Sequence, residues 1–117
     1  MKVPAALQAA GAQVRTLLDV FESGIKDVDW LTALQGRDWI VLTKDKNIRR
    51  RPLEAQALIA AGLKVFVVTA TDLTGDETGQ VLAKALPRIR RFCKKQPPPF
   101  IAGITRMSDV TLFKIGR

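Results

Sequence analysis

The chain has 117 residues, about the length of one domain, and its 47% hydrophobic and 26% charged residues are typical of a folded globular protein rather than a disordered one. No apolar run reaches the roughly 20 residues needed to cross a bilayer, and the N-terminal stretch lacks the strong apolar centre of a secretory signal. The lone cysteine, Cys93, excludes an intramolecular disulfide and fits a reducing compartment. We therefore expect a single cytoplasmic domain over residues 1–117 with no membrane partner.

Charge and the absence of one residue type restrict the possible chemistry. The net charge of +8 favours a polyanionic partner, either nucleic acid or an acidic protein, although a protein that is simply basic has the same composition. The sequence contains no histidine, which excludes histidine triads, histidine general bases and most zinc sites. If the chain is an enzyme, its chemistry depends on carboxylates, lysines or a bound metal.

The N-terminal half predicts helices that alternate with strands. We expect a helix over residues 3–10 with Pro4 in its first turn, and a strand over residues 12–18. The next helix covers residues 28–36, is capped by Asp27 and turns Trp30, Leu31 and Leu34 inward. The segment WIVLT, residues 39–43, follows as a short apolar strand.

The C-terminal half continues this alternation. A helix is predicted from Pro52 to Gly62, and an unbroken apolar strand over residues 63–71 follows it. Thr74 and Glu77 form a capping-box pattern that begins a helix ending at about Gln96. Residues 100–115 predict a β-hairpin after a core of residues 1–96. The whole pattern indicates an α/β fold, a three-layer α/β/α arrangement whose mostly parallel sheet is covered on both faces.

Two acids follow the predicted parallel strands directly, and ligands of open α/β sheets bind at that edge. Asp45 comes two residues after WIVLT, and Asp72 follows the next strand. Asp27 and Asp29 begin the helix that precedes WIVLT, which brings them to the same edge. Clustered carboxylates repel one another unless a hard cation such as Mg²⁺ or Mn²⁺ neutralises them.

Every acid near this edge except Asp45 also has a structural explanation. Asp27 and Asp29 are ordinary helix-cap or first-turn residues, and Asp72 and Asp76 are ordinary turn and dipole residues. Glu77 is best explained as the partner in the capping box. Only Asp45, which lies between Lys44 and Lys46, has no evident capping role.

Basic residues form two groups. Each group is either an ordinary solvent-exposed surface or a surface that binds phosphates. One group follows Asp45 on the same edge of the sheet and consists of Arg49, Arg50 and Arg51. The other lies along the long helix at spacings of four, three and four, and consists of Lys84, Arg88, Arg91 and Lys95. No aromatic residues alternate with these cations, so base stacking is not supported.

Several motifs resemble those of one family in content and order. They are GIKDVDWL, WIVLTKDKNIRRRPLEAQALIAAGLKVFVVTA, LTGDE, ALPRI and PPPFIA, between about residues 24 and 100. In this combination the chain resembles the PIN-like domains related to VapC-type toxins. The resemblance implies a metal-dependent ribonuclease of the cytoplasm, often the toxin of a toxin–antitoxin pair.

The resemblance also implies a site. The acid before the DWL segment corresponds to Asp27, with Asp29 as the second match, and the acid of the T-x-D motif corresponds to Asp45, accompanied by Thr43. Asp27 and Asp45 would bind Mg²⁺ or Mn²⁺. The residues expected to contact RNA are the cations around Asp45, namely Lys44, Lys46, Arg49, Arg50 and Arg51.

One departure from the family concerns the first strand. Domains of this kind begin with a strand that ends in a D-x-N motif and supplies another metal-binding acid, whereas residues 1–10 contain no acid. We therefore expect weak metal binding, and either a rearranged sheet or a strand supplied by another protomer or partner. The leading hypothesis is a PIN-like endoribonuclease or a truncated relative. The alternative is a non-catalytic module that binds RNA or an acidic antitoxin.

Overall fold

The structure, a computed structural model, describes residues 7, 11, 24–37, 39–45, 47–48 and 50–113. The helix predicted over residues 3–10 lies outside the described residues except for Leu7, which is helical and buried in the core. The strand predicted over residues 12–18 and the last two residues of the predicted hairpin also lie outside them.

Helices and strands alternate along the described chain until a final pair of strands. In order, the elements are α1 (Asp27–Ala33), β1 (Ile40–Thr43), α2 (Pro52–Ala61), β2 (Lys64–Val68), α3 (Gly75–Lys95), β3 (Phe100–Ile104) and β4 (Val110–Phe113). No helix in this part of the chain is long and apolar enough to span a bilayer.

The four strands form one sheet in the order β1-β2-β3-β4. The first three strands are parallel, with Val41 opposite Val65 and Val65 opposite Ile101. Strand β4 is antiparallel to β3, so residues 100–113 form the predicted C-terminal hairpin. The carboxyl ends of β1, β2 and β3 therefore lie at one edge of the sheet, as a parallel arrangement requires.

Alternate residues of β2 divide the core into two clusters. Val65 and Val67 pack with residues of α1 and α2, whereas Phe66 and Val68 pack with residues of α3. Because successive side chains of a strand point to opposite faces, this division places helices on both sides of the sheet. The predicted three-layer α/β/α fold with a mostly parallel sheet is confirmed.

Helix α3 begins with the predicted capping box. The Thr74 hydroxyl accepts a hydrogen bond from the backbone N–H of Glu77, and the Glu77 carboxylate accepts one from the N–H of Thr74. The helix continues through Pro87 to Lys95, one residue before the predicted end. Its apolar stripe covers β2 and β3, where Phe92 makes edge-to-face contacts with Phe66 and Phe100.

One expectation about the elements beside Asp45 was wrong. Lys26, not Asp27, occupies the N-cap of α1, and Asp27 is the first residue of the helix. The Asp27 carboxylate caps no backbone N–H, because it accepts a hydrogen bond from the Trp30 indole instead.

Strand β1 is the outermost of the described strands, and both of its faces contact the core. Val41 is buried in the cluster with α1 and α2, and Leu42 packs in part against the cluster with α3, whereas Ile40 is exposed.

Candidate active site

A tight turn after β1 fixes the position of Asp45. The Thr43 hydroxyl accepts a hydrogen bond from the backbone N–H of Asp45 at 3.1 Å. The Asp45 carboxylate in turn accepts one from the N–H of Asn47 through Oδ1, also at 3.1 Å. The next residue, Ile48, is buried between the sheet and the helices and anchors the turn. The Thr43 hydroxyl thus orients the backbone that carries Asp45 in an ST turn, and the Asp45 carboxylate forms an Asx turn with Asn47.

Helix α1 brings the second carboxylate to the same place. Asp27 lies in its first turn, where the helix dipole favours a negative charge. Its Oδ1 accepts a hydrogen bond of 3.0 Å from the indole Nε1 of Trp30, which lies one helical turn later. This contact fixes one oxygen of Asp27 and leaves Oδ2 directed toward the turn after β1, as its contact with Arg51 shows.

The guanidinium of Arg51 joins the two acids. It donates two hydrogen bonds to Asp45, from Nη1 to Oδ2 at 2.5 Å and from Nη2 to Oδ1 at 3.2 Å. The same Nη1 lies 3.9 Å from Oδ2 of Asp27. Arg51 occupies the N-cap of α2 and directly precedes Pro52. Residues from α1, from the turn after β1 and from the start of α2 thus meet at a single cation.

The acids around Arg51 favour its charged form, and the site remains open to solvent. The pKa of Arg51 is raised above its ordinary value, mainly by the hydrogen bond with Asp45 and by the charge of Asp45, with further contributions from the charges of Glu54 and Asp27. The side chains of Arg51, Asp45 and Asp27 are 42%, 30% and 44% exposed. A ligand from solution can therefore reach all three groups.

Among the described residues, Asp29, Lys44 and Arg50 form no side-chain hydrogen bond or ion pair with this cluster. Asp29 lies in the first turn of α1 and is exposed, as are Lys44 and Arg50. Lys46 and Arg49 lie outside the described residues. At the same edge of the sheet, Asp72 binds Arg106, so this acid already has a partner.

The second basic group is also divided by its contacts. Arg88 donates hydrogen bonds to the carbonyl oxygen of Ser108 at 2.9 Å and to the carboxylate of Asp109 at 3.1 Å, so it fastens the β3–β4 loop to α3. Lys84, Arg91 and Lys95 are exposed on the same helix. The expected stripe of four cations therefore contains three that face solvent and one that supports the hairpin.

The donor chemistry of the cluster fits a small divalent cation. Mg²⁺ commonly binds proteins through one or two carboxylates and completes its shell with water and substrate phosphates. Asp27 and Asp45 provide such a pair, and one guanidinium nitrogen lies within 4 Å of an oxygen of each. Within the described ranges there is no group of three or more Asp, Glu, Cys or His side chains placed to hold a metal.

Sequence reasoning found both acids but missed their bond to Arg51. It grouped Arg51 with Arg49 and Arg50 as one basic run, and it assigned Asp45 no structural role. The available signal was local. Aspartate two residues before Asn47 favours an Asx turn, and such a turn folds the following residues back toward the carboxylate.

The fold and site together define a three-layer α/β/α protein with paired acids at the carboxyl edge of its parallel strands. Residues 1–70, which include Asp27, Asp45 and Arg51, match the PIN-like domain family. The chain belongs to the PIN-like domain family.

A curated relative comes from Mycobacterium tuberculosis and is named "Putative ribonuclease VapC45". It is 27% identical over 105 aligned residues, which cover 86% of this chain and 75% of the relative. The predicted resemblance to PIN-like, VapC-related proteins is thereby confirmed. No solved structure matches the chain.

Proposed function

We propose that the protein is a metal-dependent endoribonuclease that acts as the toxin of a toxin–antitoxin pair. The observation that carries this proposal is the convergence of Asp27 and Asp45, from two separate elements, on one cation at the carboxyl edge of the sheet. Membership of the PIN-like family and the name of the mycobacterial relative support ribonuclease chemistry. The net charge of +8 supports an RNA substrate, since basic side chains release counterions from phosphates.

Asp27 and Asp45 would hold Mg²⁺ or Mn²⁺. When bound, the ion supplies Lewis-acid chemistry at a phosphoryl oxygen. Thr43 orients Asp45 through the backbone, and Trp30 holds the other acid through its indole N–H. The exposed cations around the turn position the RNA backbone, namely Lys44, Arg50 and Arg51, together with Lys46 and Arg49 from the sequence prediction. Asp29 remains the second sequence match for the α1 acid.

The proposal is tested by RNA cleavage with Mn²⁺ and with EDTA, in the wild type and in Asp45→Asn. We expect cleavage only with the divalent ion, and a loss of at least about 100-fold in Asp45→Asn because a ligand charge is removed. Asp109→Asn is the matched control, since Asp109 is also an exposed acid paired with an arginine, and it should stay within about twofold of the wild type. Equal cleavage by the wild type and Asp45→Asn, or none by either, would remove the catalytic proposal.

One observation favours a second candidate, a non-catalytic PIN-like module that binds RNA or an acidic antitoxin. The guanidinium that lies between the acids offsets one of their two negative charges, so part of the charge of the cluster is compensated without any metal. Under this alternative the basic surface binds its partner while RNA stays intact. Binding of RNA without cleavage in millimolar Mn²⁺ would support this candidate over the first.

The toxin–antitoxin assignment has its own partner chemistry. A protein of net charge +8 is complementary to an acidic antitoxin, which we propose as its cytoplasmic partner. We retain a homo-oligomer, or a partner chain that completes the sheet, as a proposal for its assembly. Strand β1 is the place for such a strand to pair, because it is the outermost described strand on its side and its Ile40 is exposed.

A further inference from the structure

We infer that Arg51 competes with the metal for the two acids, so that its guanidinium must leave Asp45 before a divalent ion binds the Asp27–Asp45 pair. We also infer that a phosphate of the RNA binds Arg51 and thereby releases Asp45. The inference rests on the proposed function, because it takes these two acids as the metal ligands. It adds a coupling between RNA binding and metal binding that the paired acids alone do not imply.

Every oxygen of Asp45 is already in use. Oδ2 accepts from Nη1 of Arg51, and Oδ1 accepts both from Nη2 of Arg51 and from the backbone N–H of Asn47. On Asp27, Oδ1 accepts from Trp30 and Oδ2 faces the same Nη1. The oxygens available to an ion are therefore those that contact the guanidinium.

A divalent ion and the guanidinium cannot occupy this place together. Mg²⁺ binds oxygen at about 2.0 to 2.1 Å, so an ion held by both acids must lie beside Oδ2 of Asp45 and Oδ2 of Asp27, in the space that Nη1 of Arg51 now occupies. Two positive charges a few ångströms apart also repel each other, and the repulsion doubles when one of them is divalent. Arg51 therefore lowers the affinity of the site for metal in the free protein.

The position of Arg51 allows its side chain to leave without disturbing the fold. Its backbone carbonyl accepts the N–H of Ala55, which holds the residue at the start of α2. The side chain itself is 42% exposed, and exposed ion pairs contribute little to stability. The guanidinium can therefore change its position while the backbone of Arg51 stays in place.

A phosphate group of RNA can replace the Asp45 carboxylate as the partner of Arg51. A phosphate accepts the same bidentate pair of N–H bonds as a carboxylate, which is why arginine is common at phosphate-binding sites. Once Arg51 contacts a phosphate, Asp45 is free to bind metal. Because such coupling is reciprocal, RNA strengthens metal binding and metal strengthens RNA binding.

The test measures Mn²⁺ affinity by electron paramagnetic resonance of the free ion. We expect Arg51→Gln to bind Mn²⁺ about tenfold more tightly than the wild type, since both the competitor and its charge are gone. Arg90→Gln makes the same charge change on an exposed arginine of α3, which covers the other face of the sheet, and should stay within about twofold of the wild type. Arg51→Lys keeps the charge but not the bidentate contact, and should lie between the wild type and Arg51→Gln.

A second measurement adds a 2′-O-methyl RNA oligonucleotide, which carries phosphates but resists cleavage. The oligonucleotide should raise the Mn²⁺ affinity of the wild type severalfold more than that of Arg51→Gln. Circular dichroism of each variant checks that the fold is intact.

The failures are distinguishable. Equal Mn²⁺ affinity in folded wild type and Arg51→Gln, both abolished by Asp45→Asn, would overturn the competition while leaving the metal site in place. No Mn²⁺ binding by any of these proteins, with or without the oligonucleotide, would overturn both the inference and the proposed metal-dependent function.

Discussion

Asp45 has two roles, one of which depends on its acceptor oxygen and the other on its negative charge. Its Oδ1 shapes the turn by accepting the N–H of Asn47, which any carbonyl-type oxygen can do. Its negative charge binds a cation, which at present is Arg51. A substitution that keeps the oxygen but removes the charge should therefore separate the two roles.

Comparison of Asp45→Asn with Asp45→Ala tests this separation by chemical denaturation. Both variants lose the ion pair with Arg51, but only the asparagine keeps an acceptor for Asn47. We expect Asp45→Ala to have a free energy of unfolding about 1 kcal/mol lower than Asp45→Asn, the value of one hydrogen bond. Equal stability of the two variants would show that the turn does not depend on this acceptor.

At this scale the sequence predicted the acids but not their environment. Asp27, Asp45 and Thr43 were found because short motifs place them beside predicted elements. The pairing of Arg51 was not predictable by the same means, since three consecutive arginines differ only in the direction that the preceding turn gives them. That direction depends on the burial of Ile48 and on the backbone bonds of the turn.

Among the elements, α3 illustrates how local chemistry sets a boundary. The reciprocal hydrogen bonds of Thr74 and Glu77 satisfy two backbone N–H groups that have no partner within the helix. This helix covers the β2–β3 face of the sheet and holds the hairpin loop through Arg88 and the Ser108 hydroxyl, which donates to the carbonyl of Val81. Helix α3 therefore supports the loop that follows β3 at the carboxyl edge of the sheet.

Removal of the capping hydroxyl gives a measurable loss. Thr74→Ala should lower the free energy of unfolding by about 1 kcal/mol, the usual cost of losing a threonine N-cap. Thr71→Ala is the matched control, because Thr71 is an exposed threonine of the same loop, and should change stability by less than about 0.5 kcal/mol. Equal effects of the two substitutions in urea denaturation would contradict the capping assignment.

The helices whose ends follow local rules were predicted closely. Pro52 and Gly62 bracket α2 as expected, with Gly62 at a positive φ of 66° that suits glycine. The start of α1 was missed because Asp27 has a competing partner, the Trp30 indole, which no capping rule includes. The apolar run of β1 was identified correctly as a strand, but its outermost place among the described strands could not be predicted, because an apolar run does not give the order of strands in the sheet.

For the whole molecule, the dominant property is charge. Nineteen basic residues face eleven acidic ones, and much of the excess lies on exposed surfaces such as Lys84 and Arg91 of α3 and Arg50 near the turn. The three-layer fold and the family could be predicted from the sequence, because alternating elements and ordered motifs extend over most of the chain. The spatial distribution of charge could not, since it depends on which cations, like Arg88, are taken up by internal contacts.

A basic surface makes a prediction about salt. If about four exposed cations meet phosphates, the affinity for single-stranded RNA should fall about 50-fold between 50 and 200 mM KCl. Arg91→Gln should reduce the slope of log affinity against log salt by about 0.7, while Arg88→Gln should reduce it less because Arg88 already binds Asp109. Fluorescence anisotropy with a labelled RNA measures both slopes. A salt-independent affinity would contradict a phosphate-binding surface.

Under the proposed function, Asp27 and Asp45 act as one catalytic unit in an RNA-cleaving site. The most direct measurement is the Mn²⁺-dependent cleavage rate of Asp27→Asn, Asp45→Asn and the double variant, with Asp29→Asn as the neighbour on α1. Residues that act as a unit are not additive, so the double variant should be within about threefold of either slow single variant, and Asp29→Asn should retain most of the wild-type rate. Full activity in Asp27→Asn, or multiplying losses in the double variant, would contradict the shared site.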